Sequence, residues 1–175
     1  LKKKRRAEEE LVITASKKRK WMVNSAITRE ERPIVYFVDP TEQNAPLLES
    51  INRGEFVALH GSRASGKSTR VLQLQDQLNS KGFDCIYASF EHVNMNNVGL
   101  FWQTLGMTLQ RNAPELFGPL KSLQIKSAND FLNTFHRTQW KSLDTVILFD
   151  EFDMLYNATE DVLASCLTTL RGIKA

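Results

Sequence analysis

The chain has 175 residues, 42% of them hydrophobic and 25% charged, proportions of one ordinary globular domain with at most an appendage. No apolar run approaches the ~20 residues a membrane span requires, and no signal-peptide pattern opens the chain, which argues against a membrane partner. The net charge of +3 is uneven: residues 1–20 hold nine Lys/Arg against three Glu, a local +6 that leaves −3 for the rest. Any attraction to nucleic acid is therefore confined to the N-terminal arm.

Residues 1–32 read as a basic polar arm or linker. Its two clusters, Lys2, Lys3, Lys4, Arg5 and Arg6, then Lys17, Lys18, Arg19 and Lys20, are spaced like a bipartite nuclear import signal that seats in two acidic pockets of an import receptor. A solvated charge run on a helix or linker is the alternative reading. The first residue is leucine, so the chain is expected to be part of a longer protein. Cys85 and Cys166 sit in apolar segments without metal-ligand spacing. They are expected to be buried thiols in an intracellular, reducing compartment, nuclear if the arm is an import signal.

Pro33 ends the arm, and residues 34–38 (Ile-Val-Tyr-Phe-Val) read as a lead-in strand or an extended segment on the domain edge, with Tyr36, Phe37 and Val38 either core residues or candidates to line an adenine slot. Residues 41–52 predict a short helix with Pro46 in its first turns and Gly54 past its end. An apolar run, 56–60, predicts a strand that leads directly into Gly61-Ser62-Arg63-Ala64-Ser65-Gly66-Lys67-Ser68-Thr69. Strand, GxxxxGKS and helix in that order form a phosphate-binding loop. Gly61 and Gly66 give the curvature that turns backbone amides inward, the helix beginning near Gly66 aims unpaired N–H groups at the same anion, and Lys67 brings a cation to the β- and γ-phosphates. Ser68 offers a hydroxyl to a phosphate-bound Mg²⁺.

Residues 67–81 predict a helix with Val71, Leu72, Leu74 and Leu78 inward and Gly82 as its stop. Residues 83–90 predict the next strand, ending at Glu91, a carboxylate at a sheet edge. Helices follow at 96–112 and 128–140, with Trp102 and Trp140 read as core. The run 145–149 (Thr-Val-Ile-Leu-Phe) then ends in Asp150-Glu151-Phe152-Asp153, an apolar strand buried on both faces. Two carboxylates at such an end call for a positive partner. Asp150 suits Mg²⁺, held through water opposite Ser68, while Glu151, turned elsewhere by strand alternation, suits the polarisation of an attacking water. Residues 158–170 close the chain as a helix.

GSRASGKST and VILFDEFD resemble the Walker A and Walker B motifs of additional-strand P-loop ATPases, with the strand at 83–90 intervening between them. The layout from Val38 to Arg171 is similar to AAA-like ATPases of the STAND type, and the basic arm ahead of it resembles Crinkler-type proteins. The resemblance implies a three-layer α/β/α fold with a parallel sheet over residues 33–175, ATP and Mg²⁺ as ligands, self-association, and the Walker B strand beside the strand at 83–90, with a gap next to the P-loop strand. It implies Lys67 on the phosphates, Ser68 and Asp150 on the metal, and Glu151 as water activator. The family's two further strands, sensor and arginine finger have no counterpart before Ala175, so the fold is expected to be incomplete at the C-terminus and turnover slow. GTP is disfavoured because no NKxD motif occurs, and a small-molecule kinase because no acceptor pocket is evident. A nuclear-imported effector whose nucleotide pocket is regulatory is the competing function.

Overall fold

The structure is a computed structural model that describes residues 19–22, 25–117, 124–135 and 145–173. The expectations for Lys2 to Arg6, Lys17, Lys18 and Trp140 fall outside these residues. The described chain is mixed α/β, built on two parallel strands, β1 (Asp84–Ser89) and β2 (Thr145–Asp150). They pair in register from Asp84 opposite Thr145 to Ser89 opposite Asp150. Their alternating side chains divide between two apolar clusters, one on each face of the sheet.

On one face, Cys85 and Leu148 pack with Leu74 and Leu78 of α2 (Lys67–Ser80) and Leu48 of α1 (Ala45–Asn52), with Tyr87, Val71 and Val146 at the margin. On the other, Ile86 and Ala88 meet Phe101, Trp102, Leu105 and Leu109 of α3 (Val98–Asn112). Phe131 of α5 (Ala128–Thr134) and Val162 and Cys166 of α6 (Glu160–Ile173) complete that cluster; α4 (Pro114–Phe117) is a single turn. Trp102 is buried, as expected of a core residue, and its indole N–H donates to Ser165 Oγ at 3.0 Å. Burial pushes both cysteine thiols up to about 12 from an ordinary 9.0, with the Asp84 charge adding to the effect at Cys85. Both stay protonated and inert in the folded protein.

Local chemistry places the helix ends. Pro46 lies in the first turn of α1, and Gly54 follows its end at φ 69°. Gly66 starts α2 at φ 81° and Gly82 stops it at φ 90°, both in the left-handed region that glycine enters without steric cost. Asn97 caps α3 by accepting the Leu100 N–H, and Ser127 caps α5 by accepting the Asp130 N–H. Phe152–Asn157 forms a 3₁₀ turn after β2 that the sequence pattern did not suggest.

Residues 56–60 do not form the strand that their apolar pattern predicts. Phe56 is 63% exposed and Val57 40%, and the sheet of the described residues consists of β1 and β2. A strand gains its stability from ladder partners and cross-strand contacts, and β1 and β2 pair with each other in a ladder that does not include residues 56–60. Among the described residues, the lead-in at 34–38 makes a single bridge, between Val35 and Lys20. The placement of the Asp150 strand beside the 84–89 strand does agree with the expected order.

Gly106 marks a close approach of α3 to Ile125. A Cβ there would stand 2.6 Å from Ile125 Cβ and 2.7 Å from the Ile125 carbonyl oxygen. Gly106→Ala is therefore expected to destabilise by ~1–3 kcal/mol, read as a lower urea midpoint, even though alanine is the better helix former. A stabilised variant would contradict this packing of α3 on residues 124–126.

Candidate functional site

The site begins with the direction of α2. Its fourteen residues rise ~1.5 Å each, about 21 Å, and the six residues of β1 cover about 20 Å at ~3.3 Å each. The turn at 81–83 sends the chain from the end of α2 straight into β1, and α2 lies back along the sheet through Leu78, Leu74 and Val71. The first turn of α2 thus comes level with the last residues of the strands. Lys67 and Ser68 share one end of the sheet with Ser89 and Asp150, and Asp150 follows Val146 and Leu148 on the strand face that α2 covers.

The loop is curved and open. Ala64 (φ 59°) and Gly66 (φ 81°) take left-handed conformations, and the Ser65 N–H donates to the Ser62 carbonyl at 3.3 Å. An alanine at φ 59° carries a Cβ penalty of ~1 kcal/mol that the loop accepts for its shape. Residues 61–66 are exposed, Arg63 among them. The Lys67 ammonium donates to the carbonyls of Gly61 (3.1 Å) and Ser62 (2.9 Å), so the lysine closes the loop on itself. Ser68 and Thr69 are half-buried, and the Thr69 hydroxyl accepts the Ile27 N–H at 3.0 Å. The threonine is engaged with the segment before Pro33, an attachment that the spacing of the motif does not reveal.

At the strand end, both oxygens of the half-buried Asp150 carboxylate have a donor. The Tyr87 hydroxyl donates to Oδ2 at 2.7 Å and the Glu151 N–H donates to Oδ1 at 3.0 Å. Burial, the hydrogen bond to Asp150 and the negative charges of Asp150, Glu151 and Glu91 all push the Tyr87 phenol upward, so it stays a donor. Glu151 is exposed at φ 51°, in a left-handed turn that ends the strand. Glu91 is exposed in the loop after β1.

Lys67 and Asp150 are not an ion pair: each spends its polar atoms on neighbours of its own. Among the described residues no group of three or more His, Cys, Asp or Glu side chains comes together as a metal cage. The donor set still fits magnesium, which takes one or two protein oxygens and fills its octahedron with water and phosphate. Asp150 Oδ1 and Oδ2 each have an acceptor position left, and the Ser68 hydroxyl stands at the same end of the sheet.

Behind the loop, a polar cluster ties α2 to the lead-in segment. Asn44 is fully buried; its Oδ1 accepts from Arg70 Nε at 2.7 Å and its Nδ2 donates to Gln77 Oε1 at 2.9 Å. Arg70 also reaches the Gln43 carbonyl, and Gln73 Nε2 donates to Asp39 Oδ1 and Thr41 Oγ1. Of the candidate base-slot residues, Tyr36 stacks on Trp21 with ring centroids 4.4 Å apart, Phe37 lies under Arg32, and Val38 is 85% exposed. Two shallow clefts, of about 430 and 310 Å³, lie further along α2 and share Arg29, Arg32 and Asp76, away from the glycine loop. Arg32 pairs with Asp76 there at 2.6 Å.

Comparison of the chain with protein-family models, with curated proteins and with solved structures found no match in any of the three.

Proposed function

We propose that the chain is a nucleotide-binding module of the P-loop type that binds ATP with Mg²⁺ and hydrolyses it slowly, using nucleotide state as a switch. The supporting observation is the alignment of α2 with the strands, which puts the GKS turn and the Asp150 carboxylate at one end of the sheet. The fold that accompanies this reading is the three-layer α/β/α P-loop domain, with β2 as its Walker B strand. The amides of Gly61, Ser62, Arg63, Ala64 and Gly66 and the start of α2 face the phosphates, and the Ser65 N–H joins them by giving up its bond to the Ser62 carbonyl. Lys67 exchanges its two loop carbonyls for phosphate oxygens, a stronger charge-assisted contact. Ser68 and Asp150 hold the metal, which when bound neutralises charge on the β- and γ-phosphates. Glu151 orients the attacking water.

Titration calorimetry of the full chain with ATP tests this reading. The expected result is one site whose affinity rises on adding Mg²⁺. No binding at millimolar ATP, with or without the metal, would overturn it.

A further inference from the structure

Tyr87 stands opposite Leu148 in the register, two residue pairs in from Asp150, and strand alternation puts the Tyr87 and Asp150 side chains on the face that α2 covers. Its backbone is fixed by the ladder, and its carbonyl accepts from Asn112 Nδ2 at 2.8 Å. Its ring lies against the apolar cluster while its hydroxyl reaches Asp150 Oδ2 at 2.7 Å. Asp150 is anchored as firmly: its carbonyl accepts the Phe90 N–H at 3.0 Å and its Oδ1 accepts the Glu151 N–H. A carboxylate with one donor on each oxygen cannot rotate without breaking a hydrogen bond. Each oxygen keeps one further acceptor position, and a fixed plane fixes where those positions point.

We infer that Tyr87 is the positioning residue of this site: its hydroxyl holds the Asp150 carboxylate in the orientation that a magnesium-bound water meets. The inference rests on the nucleotide reading above. Tyr87 touches neither phosphate nor metal and acts only through Asp150. A phenol serves here better than a cation, since it holds the carboxylate without neutralising the charge that attracts the metal.

The test is Tyr87→Phe, which keeps the ring in the cluster and removes only the hydroxyl. ATP affinity is measured by calorimetry across a Mg²⁺ titration and again in EDTA, for the wild type and the variant. The expected result is a 10- to 100-fold higher Mg²⁺ requirement, the usual effect of losing a hydrogen bond behind a metal ligand, with ATP affinity in EDTA within about twofold of wild type. An unchanged Mg²⁺ requirement, or an equal loss with and without the metal, overturns the positioning role and leaves the nucleotide reading standing. A wild type with no Mg²⁺-dependent ATP binding overturns both.

Discussion

Glu151→Gln is expected to lower single-turnover ATP hydrolysis by ~10²- to 10⁴-fold while ATP affinity changes by no more than about twofold, because the amide fills the same volume but cannot take a proton from the attacking water. The position suits that role. Glu151 is exposed, its backbone N–H is committed to Asp150 Oδ1, and it sits in a left-handed turn, φ 51°, at the strand end. Its carbonyl also accepts the Met154 N–H at 3.0 Å, so the backbone is held at both ends while the side chain faces solvent. The substitution leaves those bonds in place, and the fold is expected to be unaffected. Rapid-quench measurement of labelled phosphate release checks it. An unchanged rate would remove Glu151 from the chemistry and leave ATP binding untouched.

Lys67→Ala is expected to weaken ATP binding by ~10²-fold or more, the effect of truncating one partner of a charge-assisted contact, which costs ~2–5 kcal/mol. The effect has two sources. The variant loses the cation that faces the phosphates, and it also loses the two hydrogen bonds that draw the Gly61 and Ser62 carbonyls toward the start of α2. Because this end of the loop is exposed, the thermal midpoint is expected to move little while affinity falls. Filter binding or calorimetry with ATP, beside a melting curve, separates affinity from stability.

Elements whose signals are local were legible in the chain. Gly82 and Asn97 announce helix ends through their backbone and side-chain chemistry, and the aromatic and aliphatic run before Asp150 announces a strand with helices on both faces. The apolar run at 56–60 has a similar composition but lies outside the β1–β2 sheet of the described residues, and pairing is a property of two segments rather than one. The bond from Tyr87 to Asp150 spans 63 positions and exists only because of the register. Given that register, alternation alone puts both on one face, so the contact was available to a reader who paired the strands first. The Ile27 to Thr69 bond and the buried Asn44 are of another kind. A polar side chain with no exposure, held by Arg70 and Gln77, depends on the docking of the lead-in segment against α2, and no short motif encodes that.

The central claim is that Lys67 and Asp150, on separate elements and not in contact with each other, act on one Mg²⁺-bound triphosphate. A double-mutant cycle in ATP affinity, combining Lys67→Ala with Asp150→Asn, measures this most directly. The account predicts strong non-additivity in Mg²⁺, with a coupling of ~1 kcal/mol or more that disappears in EDTA. Losses that add to within ~0.5 kcal/mol in the presence of the metal would contradict it.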